Sequence, residues 1–234
     1  MRSRYVAVVI VTIGLARGLH AQPATQASHA ATTQPTGFAR WEKEIAAFEA
    51  KDRENPPPKG GLVFTGSSTI RMWTSLPRDY PNQNVINRGF GGSEIADATH
   101  FADRIIFPYE PKMVLLRAGG NDIHAGKSVE QVYNDFVAFA EKVHARLPDA
   151  RIVYISMSPA PSRWGERDAN RQANERIKAY IDQKPGYLKY VETYDMTLTP
   201  DGKAREELFI KDRLHFNAEG YKLLAERVRP VLPR

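Results

Sequence analysis

Between residues 62 and 195, short apolar runs alternate with stretches of helical period, and this alternation limits the possible folds more than any other feature. The runs are LVFTG (62–66), NVINRGF (84–90), KMVLLRAGG (112–120), ARIVYISMSP (150–159) and LKYVETYD (188–195). KMVLLRAGG is almost continuously apolar, as a strand covered on both faces must be. The segment SVEQVYNDFVAFAEKVHARLP opens with a capping box, Ser128 with Gln131. Val129, Val132, Phe136, Ala140, Val143 and Leu147 continue it as one apolar helical face. ERDANRQANERIKAYIDQ (166–183) reads as a more polar helix, and Asn217 is placed to cap a last one through Tyr221, Leu224 and Val228, stopped by Pro230. Strands alternating with helices predict an α/β fold, a mainly five-stranded parallel sheet with helices on both faces. In such sheets functional groups gather beyond the carboxyl ends of the strands. The informative loops are therefore GSST, GFGGS, GGNDIH, SPAPSRWGER and KDRLHF.

The segments before the first strand read differently. MRSRYVAVVIVTIGLARGLHA (1–21) has a charged start, Arg2 and Arg4, then an apolar stretch, and resembles a secretory signal peptide; uncleaved, it would tether the chain to a membrane. Its apolar stretch is too short to span a bilayer comfortably. QPATQASHAATTQPTG (22–37) has no apolar period and reads as a flexible tether. Phe38, Trp41, Ile45 and Phe48 then recur at helical spacing, so the folded domain is expected over 38–234. Three of the 33 Lys and Arg residues fall in the leader, and 27 Asp and Glu nearly balance the rest, which does not suggest a nucleic-acid surface. The chain has no cysteine, so export would bring no disulfides and the fold must be stable on core packing.

Taken singly, each loop signal is weak. Ser67, Ser68 and Thr69 follow a glycine at the end of the first run, where hydroxyl residues commonly cap the next helix. GFGGS offers backbone N–H groups but matches neither dinucleotide nor P-loop glycine spacing. GGNDI presents the Asn121 amide, suited to a turn or to a developing oxyanion. DRLH sets Asp212 three residues before His215, close enough for the carboxylate to fix the imidazole tautomer, although a surface pair fits the spacing too. Among the other histidines, His124 in GGNDIH is the main rival. With no Cys, and with His124 and His215 in separate loops, a zinc site is poorly supported. Together the loops supply a nucleophile, oxyanion donors, a base and its orienter at one sheet edge, which is what acyl transfer requires. The G-x-S-x-G nucleophile elbow is absent, because Ile70 stands where its second glycine would be.

In this order the four segments FTGSSTIRMW, NRGFGGS, GGNDI and DRLHFNAEGY resemble the conserved blocks of the GDSL/SGNH hydrolases, over roughly residues 60–232. The resemblance implies a three-layer α/β/α sandwich of flavodoxin-like type and a serine esterase needing no metal or organic cofactor. It implies Ser68 as nucleophile, His215 as general base and Asp212 as its orienter. The oxyanion hole would comprise the Ser68 and Gly92 N–H groups and the Asn121 side chain. The chain departs from the family pattern at Ser67, where an Asp usually precedes the nucleophile. SPAPSRWGER is expected to border the site, with Trp164 stacking on a sugar ring or walling an acyl pocket and Arg163 or Arg167 meeting an anionic group. The expected substrate is a small-molecule or glycan ester, foremost O-acetyl groups on a carbohydrate. A lipid esterase, an acyltransferase using the same site, and a silent carbohydrate-binding protein are the alternatives.

Overall fold

The computed structural model describes residues 36–233; the proposed signal peptide and nearly all of the proposed tether lie outside them. Each apolar run becomes one strand, LVFTG whole and the others trimmed at one or both ends. The strands are β1 (Leu62–Gly66), β2 (Val85–Gly89), β3 (Met113–Arg117), β4 (Arg151–Ile155) and β5 (Leu188–Val191). All pair in parallel, in the order β2-β1-β3-β4-β5. The helices are α1 (Glu42–Glu54), α2 (Ser68–Arg71), α3 (Leu76–Asp79), α4 (Ile95–His100), α5 (Ala102–Ile105), α6 (Gly120–His124), α7 (Val129–Arg146), α8 (Arg167–Asp182) and α9 (Ala218–Val228). The fold is the α/β sandwich that the alternation predicts.

The sheet is covered on both faces, and the pleat divides its side chains between two cores. Val63, Val114, Leu116, Ile152 and Tyr154 face one side, against Ile45 of α1, Phe136 and Val143 of α7, and Ile177 of α8. Leu62, Phe64, Met113, Leu115, Val153 and Ile155 face the other, against Trp73, Tyr80 and the Tyr221, Leu224 and Val228 stripe of α9. Successive strand residues point to opposite faces, so a strand buried on both must be apolar at every position.

Local signals operate where they were expected. The Ser128 side chain accepts from the Gln131 N–H and the Gln131 side chain accepts from the Ser128 N–H. Asn217 Oδ1 accepts from the N–H groups of Glu219 and Gly220, starting α9. One expectation is corrected. The helix expected from Phe38 begins instead as a 3-10 turn, Gly37–Trp41, and Phe38 stays 41% exposed, stacked on the His100 ring at 3.9 Å rather than packed in the core. The last helix ends at Val228, as expected, and Pro230 lies in the 3-10 turn that follows it, Arg229–Val231. The first helix is also held by charge: Arg88 of β2 donates to Asp52 of α1 at 2.5 Å and to the Tyr109 hydroxyl at 2.8 Å.

Phe136 has no exposed surface and meets Tyr154 edge-on, with ring centroids 5.0 Å apart. Phe136→Ala is expected to lower the unfolding free energy by about 3–5 kcal/mol, the range for emptying a packed aromatic site. Urea denaturation measures this, and a loss below about 1 kcal/mol would mean that the α7 face is not close-packed.

Candidate active site

β1 and β3 are neighbours in register, with Gly66 opposite Arg117, so both chains leave the sheet at the same level. This is where the strand order reverses, the place at which open α/β sheets bind ligands. Gly66 has φ +125°, and a side chain there would sit 2.1 Å from the Arg117 carbonyl oxygen, so only glycine lets β1 end this close to β3. Ser67 follows, its N–H donating to the Arg117 carbonyl at 3.2 Å. It holds the N-cap position of α2, but its side chain makes no capping bond. Ser68 is the first residue of α2, where a backbone N–H has no partner within the helix.

His215 reaches Ser68 from a separate loop. Phe209 and Phe216 pair as an antiparallel bridge, and the Ile210 N–H donates to the His215 carbonyl at 2.9 Å, which closes residues 210–215 into a turn. Within it Asp212 Oδ1 accepts from the N–H groups of Leu214 (2.9 Å) and His215 (3.0 Å). Asp212 Oδ2 lies 2.6 Å from His215 Nδ1, and His215 Nε2 lies 2.9 Å from Ser68 Oγ. With Nδ1–H donating to the carboxylate, Nε2 is the acceptor for the serine hydroxyl. Desolvation raises the Asp212 pKa, but the hydrogen bonds from the His215 imidazole and the two backbone N–H groups outweigh it and leave the pKa at about 2. The sign follows: stability owed to this carboxylate is complete above its ordinary 3.8 and is lost as pH falls toward 2.

Asn121 is the second residue of α6, directly after the β3 turn. Its Nδ2 donates to the Ser93 carbonyl at 3.0 Å, and its Oδ1 accepts from Arg163 Nη1 at 3.0 Å. Arginine only donates, so this contact fixes which end of the amide is the N–H end, and one of the two N–H bonds is left for a ligand. Arg163 was expected to meet an anionic group; here it orients Asn121, and burial lowers its pKa. Ser93 is fully buried and its hydroxyl donates to the Gly66 carbonyl, so it ties the glycine loop to β1 and to Asn121 together.

Asp122 is the residue beneath. Burial drives its carboxyl pKa up to about 6, against the pull of Lys127 and the Ile95 N–H. Lys127 bonds Asp122 at 3.0 Å, Glu94 at 2.9 Å and Asp135 at 2.6 Å, so this cluster locks the start of α4 behind the glycine loop to α6. None of Ser93, Asp122 or Lys127 stood out as a site residue in the sequence; the adjacency of Asp122 to Asn121 was the available signal.

A cavity of about 80 Å³ opens beside Ser68, Asn121 and His215, walled also by Arg163, Glu166 and Asn170. Gly92, exposed and left-handed at φ +80°, lies outside this wall, one residue before the Ser93 carbonyl that Asn121 contacts. Trp164 also lies outside it: it lines an open groove of about 410 Å³ with Pro161, Lys203 and Arg213, and Arg167 rests over its ring at 5.2 Å. Arg117 lies at the cavity floor with no carboxylate, donating to the Ser156 carbonyl, to Thr193 Oγ1 at 2.9 Å and to Ser158 Oγ at 2.6 Å, and burial brings its pKa to about 10. The rival histidine, His124, pairs with Glu166 at 2.6 Å and is not among the residues that wall the cavity. His144 stacks on Tyr187 far along the fold.

The profile of the GDSL-like Lipase/Acylhydrolase family matches residues 60–223. Over 219 residues the chain is 27% identical to human platelet-activating factor acetylhydrolase IB subunit alpha1, covering 85% of each. A GDSL-like lipase from Bacteroides thetaiotaomicron shares the fold at a TM-score of 0.66 and 21% identity, over 83% of this chain and 96% of its own. A mutant acetyl-xylooligosaccharide esterase from Geobacillus Stearmophilus does so at 0.57 and 16% identity, over 76% and 97%. No described helix is long and apolar enough to cross a membrane. The four sequence blocks, the parallel sheet they sit on and the matched family profile agree: the chain belongs to the GDSL-like lipase/acylhydrolase family and is a hydrolase.

Proposed function

We propose that the protein is an exported acetylesterase that removes O-acetyl groups from a carbohydrate through Ser68, His215 and Asp212. The observation that carries this is the continuous relay from Asp212 Oδ2 through the imidazole to Ser68 Oγ, at 2.6 and 2.9 Å. Ser68 Oγ attacks the acetyl carbonyl as His215 Nε2 takes its proton, and Asp212 stabilises the imidazolium. The oxyanion is held by the N–H groups of Ser68 and Gly92 and by the free N–H of Asn121, each such donor being worth roughly 10²–10³ in rate. His215 returns the proton to the departing alcohol, and water, activated by the same imidazole, then releases acetate from the serine.

The cavity, about 80 Å³ and open on one side, has room for an acetyl group. The Trp164 groove would receive the rest of a glycan. The leader read at residues 1–21 supports export and leaves the mature domain without membrane insertion. A second reading, an acetylated ether lipid as substrate, is favoured by the name of the human relative, which is also an acetylhydrolase.

Ser68→Ala is expected to abolish release of acetate from aryl and sugar acetates, while Ser67→Ala keeps most of it; the reverse result would sink the assignment. Labelling of Ser68 by a fluorophosphonate, one per chain, distinguishes an enzyme from a silent binding protein. Acetate release without any added acceptor argues against a transferase. Because Asp212 stays ionised down to about 2, a fall of kcat/KM above that range does not come from its carboxylate. A rate still flat below about pH 5 would exclude His215 as the base. Arg163→Ala frees the Asn121 amide to turn, and kcat is expected to fall by about tenfold, with Arg163→Lys recovering part of it. An unchanged kcat would deny Arg163 its positioning role.

A further inference from the structure

Polar atoms buried in a protein almost always have hydrogen-bond partners. At the cavity wall two do not. Glu166 Oε2 and Asn170 Oδ1 are buried without a partner, and both residues line the cavity that holds Ser68 and His215. They stand four residues apart at the start of α8, hence on one face of it. Asn170 is only 5% exposed, so its amide is a committed, shielded group and not a surface side chain.

The neighbouring residues separate this pair from ordinary structural polar groups. Asn174, the next residue on the same face, is fully used: its Oδ1 accepts from the Met157 N–H at 3.0 Å and its Nδ2 donates to the Met157 carbonyl at 2.8 Å. Glu166 spends its other oxygen on His124, at 2.6 Å. What remains buried and unmet is one carboxylate oxygen and one amide oxygen, both acceptors, beside the N–H donors of the Asn170 amide. An unmet buried acceptor is costly, and two acceptors do not relieve each other. Both are shielded from bulk solvent, so their donor must come through the cavity.

The substrate class follows from the need for donors. A partly acetylated sugar carries free O–H groups beside the ester. An acetylated ether phospholipid carries an ether and a phosphate there, which only accept and would leave the Glu166 carboxylate oxygen unmet. We propose that Glu166 and Asn170 form a subsite that receives hydrogen bonds from free hydroxyls flanking the acetyl ester, which makes the substrate a partly acetylated polyol or sugar. This rests on the reading of the site as an ester hydrolase centred on Ser68.

The test compares three acetates on the purified enzyme: p-nitrophenyl acetate, a mono-O-acetyl methyl xyloside with its other hydroxyls free, and the same compound with those hydroxyls O-methylated. The wild-type enzyme is expected to prefer the free-hydroxyl sugar over its methylated form by about tenfold or more in kcat/KM. In Asn170→Ala the ratio of sugar to aryl acetate is expected to fall by about tenfold, and Asn170→Asp, which keeps an acceptor, is expected to restore most of it. Equal rates on the free and methylated sugars, a ratio unmoved by Asn170→Ala, or a preference for a 2-acetyl ether phospholipid over the sugar would overturn the subsite while leaving the esterase standing. Failure to cleave any of these acetates would overturn the esterase reading itself, and the subsite with it.

Discussion

The site depends on one packing constraint, the in-register pairing of β1 with β3. Strands that end level with one another deliver their loops to the same place, however distant they are in sequence. Gly66 allows this because any side chain there would collide with the Arg117 carbonyl. From that point the contacts accumulate: Ser67 N–H onto Arg117, Ser93 hydroxyl onto Gly66, Asn121 amide onto Ser93. The Ser68 loop, the glycine loop and the Asn121 loop are thus fastened to each other through backbone oxygens, before the Asp212–His215 pair is involved.

The frame beneath is polar, which is unusual for a part that must be rigid. Asp122 is buried with its pKa raised toward 6, so on this residue alone the folded state loses stability as pH rises through that range and regains it on acidification. Asp212 behaves oppositely, and in a lower window. Lys127, held by three carboxylates, offsets the cost of Asp122 near neutrality. A buried ion cluster contributes little net stability but penalises every arrangement in which its partners are separated. Here the partners are the segments that flank the proposed oxyanion loops.

Much of this was legible in the sequence, and the parts that were not share a cause. The five strands could be read because burial on both faces demands continuous apolar residues, as in Met113 to Leu116. Helices α7, α8 and α9 could be read because each is long enough to show its period. The short helices α2 to α6 are too brief to show one, and the strand runs overshoot because Ala118 or Met157 are as apolar as the strand they leave. The pairing of Asp212 with His215 was legible as spacing, since the contact is local. The choice among Ser67, Ser68 and Thr69 needed partners from other loops. The grip of Arg163 on Asn121 and the orphaned acceptors of Glu166 and Asn170 were not legible, because they depend on which way a loop turns, and no spacing encodes that. Trp164 illustrates the same point: its neighbour Arg163 faces the cavity while the indole faces the groove.

The serine and its proposed base are carried by very different parts of the molecule. Ser68 stands at the end of a central strand, whereas Asp212 and His215 belong to a turn held by the Phe209–Phe216 bridge, by the Ile210 N–H on the His215 carbonyl and by the Ser162 N–H on the Arg213 carbonyl, with Asp212 43% exposed. The ends of this turn are anchored in the core through Phe209 and Phe216, while its tip, Asp212 and Arg213, faces solvent. The relay is thus assembled across the boundary between packed interior and surface, and a change at the surface-facing carboxylate reaches a serine set on a central strand without passing through the sheet.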